Sequence, residues 1–146
     1  MRRNLLLLSV LGAVLLTGAC SKPASELSAL ENTEQKQELP KLTVDEVNAL
    51  LVTEDKPHLF DANTDSTRAK HGTIPGSTLL TGVDYDVAKT LPEAKDQKLV
   101  FYCSSTKCSA AERAAARAKT AGYSDVSVMP EGIKGWARAG KKVNQI

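Results

Sequence analysis

The chain has 146 residues, 42% of them hydrophobic, 25% charged and 4% aromatic, with three cysteines. That is enough apolar material for the core of one ordinary domain, and it argues against a solenoid or a two-domain plan. The formal charge of +2 rests on Arg2 and Arg3; residues 20–146 are formally neutral, so no basic face for nucleic acid is implied and no such partner is expected.

The chain opens with "MRRNLLLLSVLGAVLLTGAC": two arginines, an apolar run from Leu5 to Leu16, then small residues before Cys20, which is the layout of an export signal. The run falls short of the roughly 20 apolar residues that span a bilayer. "LLTGAC" resembles the lipobox of bacterial lipoproteins, in which the cysteine is acylated and becomes the first residue of the mature chain; Thr17 stands where leucine is commoner. The resemblance implies a signal peptide over residues 1–19, lipidation at Cys20 and attachment to a membrane through that anchor. Ser21, where aspartate is absent, points in a Gram-negative cell to the outer membrane, facing the periplasm. The alternatives are an ordinary cleaved signal with Cys20 as a free thiol, or an uncleaved anchor. Residues 20–40 read as lipidated cysteine and flexible tether, since "SKPASELSALENTEQKQELP" is rich in Ser, Glu, Gln and Lys and has no aromatic residue. A random coil of that length spans roughly 25 Å. The domain is expected over residues 41–146.

Thr43 and Glu46 form a T-x-x-E capping box ahead of Val47, Leu50 and Leu51, which recur on one helical face. "HLFDA" reads as a short buried strand, with Asn63 to Asp65 capping a second short helix, and "GTIPGSTLL" places a Pro-Gly turn before another apolar stretch. "KLVFY" is a buried strand, its apolar residues continuous rather than alternating. Ser109 and Glu112 match a second capping box, opening a helix with alanines at 110, 111, 114, 115, 116, 118 and 121 that Gly122 stops. "DVSVM" is the next strand and "GIKGWARAG" the last helix. Strands alternating with helices predict an α/β domain, its central sheet mainly parallel and flanked by helices.

The segment Cys103 to Cys108 connects a strand to a helix N-terminus, which puts the first thiol at the carboxyl end of the sheet, where ligands and catalysis concentrate. Helix N–H groups and the positive end of the helix dipole favour a thiolate, the attacking species. On this reading Cys103 is an accessible nucleophile of lowered pKa, and Cys108, nearer the backbone, is less free to attack. Ser104, Ser105 and Thr106 are small enough for the backbone to curl around a sulfur and add hydroxyl donors, and Lys107 adds a cation. The bland reading, a buried structural cysteine, fits poorly with such polar neighbours.

Three stretches together resemble the single-domain rhodanese-like proteins: "LFDANTDSTRAKHGTIPGS", "LVFYCSSTKCSAA" and "GYSDVSVMPEGIKGWARAG", spanning about Leu42 to Gly140. The resemblance implies the rhodanese α/β fold and a sulfurtransferase, in which Cys103 takes a sulfane sulfur from thiosulfate or another donor as a persulfide and hands it to a thiol or cyanide. It also implies a binding loop of Ser104, Ser105, Thr106, Lys107 and Cys108, and structural roles for Asp61 and Trp136. No cofactor and no metal is implied; no CxxC or HxxxH spacing supports a zinc site.

There are departures. Cys108 stands where the loop often ends in arginine, the loop's frequent glycine is absent, and Thr73 replaces the histidine of the "GHIPGA" turn. Loss of the arginine weakens the case for efficient use of thiosulfate. A related cysteine phosphatase would need arginine at position 109, which is serine. Two rivals stay open: a periplasmic thiol-disulfide redox protein using a Cys103–Cys108 disulfide, and a catalytically degenerate binding module.

Overall fold

Three largely buried tetrapeptides make the centre of the molecule in the computed structural model, which describes residues 38–146. They are β1 (His58–Asp61), β3 (Leu99–Tyr102) and β4 (Val126–Met129), joined at one edge by the two-residue β2 (Thr78–Leu79). The sheet is all parallel, in the order β2-β1-β3-β4. Parallel neighbours need crossover connections, and helices supply them: α2 (Asp65–His71), α3 (Val87–Thr90) and α4 (Ala110–Thr120), with α1 (Val44–Leu50) preceding β1 and α5 (Gly132–Arg138) following β4. From β1 the chain moves outward to β2, then returns past β1 to β3 and β4. The reversal leaves a crevice beyond the carboxyl ends of β1 and β3.

Both sheet faces are covered, which is why the strands are mostly apolar and, His58 apart, buried; Asp61 and Ser127 are their buried polar residues. Successive side chains alternate between faces. Leu59, Val100, Tyr102 and Met129 pack with Val44 and Val47 of α1 and Ile133 and Trp136 of α5. Phe60, Leu99, Phe101, Val126 and Val128 pack with Ala111, Ala114, Ala115 and Ala118 of α4 and with Tyr85 and Tyr123. Phe60 and Phe101 stack with ring centroids 4.9 Å apart. Truncating Phe101 to alanine would cost about 3–5 kcal/mol, the usual range for a fully buried phenylalanine.

The expected cap of α1 forms, with Glu46 N donating to Thr43 Oγ1 at 3.3 Å and Thr43 N donating to Glu46 Oε2 at 2.7 Å. Thr64, within the stretch expected to cap α2, does so by accepting from Thr67 N. The expected box at α4 does not form. Ser109 sits at φ −92°, ψ 4° and makes no side-chain cap hydrogen bond. A capping residue ordinarily has an extended backbone that turns its oxygen back toward the helix, and Ser109 lacks it.

The last residues read as tether are held by the domain: Leu39 packs against the core, and Pro40 O and Leu42 N bond to Val128 along the outer edge of β4. The expected signal peptide, Cys20 and the tether up to residue 37 lie outside the described residues. Among the described residues no helix is long and apolar enough to cross a membrane.

Candidate active site

Tyr102 ends β3 with its side chain on the α1/α5 face, so the next residue, Cys103, falls on the α4 face and joins that core cluster. The loop then folds back. Cys108 N donates to Ser105 O at 2.9 Å, closing a turn, and the Cys103 thiol donates to Cys108 O at 3.1 Å. The N-terminus of α5 holds the loop from outside, with Ile133 N donating to Cys103 O at 2.8 Å and Lys134 N to Ser104 O at 3.1 Å. Contact this close leaves no room for a side chain at position 132. A Cβ on Gly132, at φ +59°, would collide with Cys103 O and lie 2.7 Å from Ser104 C and 2.8 Å from Ser105 N. From sequence this glycine was only the first letter of a helix; a glycine where a helix starts, instead of a residue with a capping oxygen, was the available signal.

The two thiols sit in opposite electrostatic settings. Cys103 is 2% exposed. Burial and the neighbouring Cys108 push its thiol up to about 12, against the opposing pull of the Ala111 and Ser105 N–H groups. Cys108 is half-buried; burial acts to raise its pKa, but donation from Cys103, the Ser104 and Ala110 N–H groups and the Ser104 hydroxyl outweigh this and bring it below the ordinary thiol value. The expectation of an accessible, easily ionised Cys103 beside a shielded Cys108 is therefore corrected. The position directly after a buried strand sinks the first sulfur into the core, while the turn carries the second to the loop mouth. Groups this close share one negative charge and titrate as a pair.

Of the remaining loop residues, Ser104 contacts Cys108, whereas Ser105, Thr106 and Lys107 line a neighbouring open cleft of about 520 Å³. His71, Lys134 and Arg138 also line it, and sequence reading had not joined them to Lys107. Their signal was the i, i+4 spacing of Lys134 and Arg138, which places two cations on one face of α5. Burial, followed by the charges of Lys134 and Lys70, holds His71 below its usual pKa, as suits an imidazole beside two lysines.

Beneath the crevice lies a buried polar network. Asp61, fully buried, accepts from Tyr102 Oη at 2.9 Å and from Asn63 N at 2.7 Å. Tyr102 Oη in turn accepts from Ile74 N at 3.1 Å and lies 2.9 Å from Ser77 Oγ, which pins the Pro-Gly turn to the sheet. Arg68, 4% exposed, donates to Asp61 O and Leu80 O and has its Nε 3.6 Å from Asp61 Oδ1. Asp61 thus serves structure, as does Trp136, whose Nε1 donates to Lys142 O at 2.8 Å. In sequence nothing sets Arg68 apart from the other charged residues of α2.

The rhodanese-like domain model matches residues 43–139. No curated protein matches the chain. Among solved structures, a rhodanese-like domain from Anabaena is 18% identical over 75% of this chain and 81% of its own, with a TM-score of 0.61. A single-domain sulfurtransferase from Saccharomyces cerevisiae is 20% identical over 72% and 94%, with a TM-score of 0.56. A thiosulfate sulfurtransferase from Pseudomonas aeruginosa is 22% identical over 77% of this chain but 21% of its own, with a TM-score of 0.60. Those identities speak to the fold alone. The four-stranded parallel sheet, the loop between β3 and α4 at its carboxyl edge and the family match over residues 43–139 give one conclusion: the chain belongs to the rhodanese-like domain family.

Proposed function

We propose that the protein is a sulfurtransferase or persulfide carrier, in which Cys103 takes a sulfane sulfur and passes it to a thiol or cyanide. One observation carries the reading: the Cys103 sulfur sits at the carboxyl end of β3, influenced by the Ser105 and Ala111 N–H groups and next to Cys108, whose thiolate can take its proton. In the singly ionised pair the proton passes from Cys103 to Cys108. The Cys103 thiolate attacks the outer sulfur of the donor, the donor's S–S bond breaks, and the electron pair departs with the leaving group, sulfite in the case of thiosulfate. The loop N–H groups stabilise the persulfide anion that remains. The cleft cations Lys107, Lys134 and Arg138 favour anionic donors by raising their local concentration. Thiosulfate lacks an arginine clamp here; Cys108→Arg loses the proton acceptor but sets a fixed cation beside Cys103 that favours its thiolate and clamps the donor, so that variant should turn thiosulfate over faster.

The test is the intact mass of reduced full chain before and after thiosulfate or polysulfide, then after cyanide. Wild type should gain one sulfur and lose it to cyanide as thiocyanate; Cys103→Ser should do neither. Equal transfer by Cys103→Ser would overturn the reading.

The proposal extends to location. Residues 1–19 act as signal peptide, Cys20 is acylated, and the protein is held on a bacterial membrane, the outer one facing the periplasm. The order of Arg2, Arg3, apolar run and "LLTGAC" supports this. Cys20→Ser should leave the membrane fraction or stall unprocessed. Wild type that washes free in salt with no mass added at Cys20 would sink the idea.

A further inference from the structure

We infer that Cys108 is a resolving thiol, which attacks the Cys103 persulfide, expels hydrosulfide and closes a Cys103–Cys108 disulfide, so that the site reduces sulfane sulfur as well as carrying it. The inference rests on the reading of Cys103 as the sulfur carrier. Three features of the loop support it independently of that reading. The Ser105–Cys108 turn folds the chain back until the Cys103 thiol bonds to the backbone of Cys108 at 3.1 Å, so the second cysteine is a neighbour in space. Cys103 is 2% exposed while Cys108 is half-buried at the mouth, so an outside acceptor meets Cys108 before it meets a sulfur on Cys103. Finally, N–H groups act on both sulfurs, those of Ser105 and Ala111 on Cys103 and those of Ser104 and Ala110 on Cys108. The loop is therefore built around two sulfurs, where a transferase with one working cysteine needs only one.

The step balances without an added oxidant. Cys108 sulfur attacks the inner sulfur of the persulfide; the bond between Cys103 and the sulfane sulfur breaks, and the Cys103–Cys108 bond forms. The sulfane sulfur takes the electron pair and leaves as hydrosulfide, with the proton of the Cys108 thiol when the persulfide is the ionised partner. The sulfane sulfur is the species reduced and the two cysteine sulfurs are oxidised. Hydrosulfide leaves more readily than a cysteine thiolate, because the weaker base is the better leaving group. Renewal of the site takes two electrons from an external dithiol, which becomes a disulfide. Where dithiol is plentiful the protein releases hydrosulfide repeatedly; where it is scarce the loop locks after one sulfur.

Lys107 lies between the cysteines, so trypsin cuts the loop into residues 99–107 and residues 108–113, which a disulfide alone can hold together. The experiment takes reduced full chain under anaerobic conditions, adds one equivalent of benzenethiosulfonate, and follows hydrosulfide, intact mass and the tryptic pair. Wild type should release one hydrosulfide per chain and yield the linked peptides. Cys108→Ser and Cys108→Ala, which lose the proton acceptor, should load sulfur more slowly, release at least about tenfold less hydrosulfide per sulfur loaded and hold the extra sulfur on residues 99–107. If wild type keeps a stable persulfide on residues 99–107 and releases no hydrosulfide, the resolving role is overturned and the carrier reading survives. If neither wild type nor the Cys108 variants take up sulfur, the carrier reading itself falls and the inference with it.

Discussion

At the start of α1 the helix satisfies its own first N–H groups: the Thr43 hydroxyl accepts from Glu46 N, and Glu46 returns the favour to Thr43 N, which holds the Glu46 carboxyl below the usual carboxylate range. At the start of α4 the N-cap serine makes no such bond, and the first N–H groups act instead on sulfur, Ala110 on Cys108 and Ala111 on Cys103. One helix end is closed for stability. The other is left open toward a pair of thiols, and part of its stabilisation comes from outside, through the bonds that tie the loop to the N-terminus of α5. A helix N-terminus that forgoes its own cap keeps donors free for an anion, which in the proposed reaction is a thiolate or its persulfide.

Removing the outside support should break this contrast most severely. Gly132→Ala adds a Cβ that collides with the backbone of Cys103 to Ser105, at a φ of +59°, and should lower unfolding stability by about 3 kcal/mol in denaturant titration while abolishing sulfur uptake. Gly76→Ala, at φ +81° with open space around it, should cost only the conformational strain of about 1–2 kcal/mol and leave uptake intact. Equal losses in the two variants would show that the loop does not depend on the approach of α5.

Thiol reactivity sharpens the comparison next. The charge the pair shares is favoured on Cys108, which is also the more exposed sulfur, so in reduced native protein iodoacetamide should label Cys108 first. Its rate should rise with pH and level off below pH 9, with Cys103 protected by at least about tenfold until the protein unfolds. Peptide mapping reads the order, and preferential labelling of Cys103 would reverse the assignment of the two settings.

The smallest effects belong to the caps themselves. Thr43→Ala removes a formed box and should cost about 1 kcal/mol in thermal or denaturant unfolding. Ser109→Ala removes a hydroxyl that caps nothing and should stay within about 0.5 kcal/mol. If Ser109→Ala costs as much as Thr43→Ala, the α4 terminus is capped after all and the contrast fails.

Ser109 and Glu112 also mark how far local pattern carries. A capping box is written in residue types three apart, and at Thr43 nothing competes with it. At Ser109 the preceding turn sets the backbone at ψ 4°, so the same letters give a different structure. Loop position was readable because an apolar tetrapeptide, small polar residues and an alanine-rich helix are contiguous. The setting of each sulfur was not, because it depends on which face of the sheet the residue after Tyr102 falls.

Chain-local chemistry was enough for the elements and their class: continuous apolar strands imply a sheet covered on both faces, and their alternation with helices implies parallel pairing. The assembled fold was needed for everything that joins distant residues. Asp61 reaches Tyr102 across a sequence separation of 41, Arg68 bonds the carbonyl of Leu80, and His71, Lys107, Lys134 and Arg138 meet from α2, the loop and α5. Beyond the i, i+4 spacing of Lys134 and Arg138 such contacts carry no local signal, so packing sets them, and packing is what sinks Cys103 beneath the alanines of α4 and leaves Cys108 at the mouth.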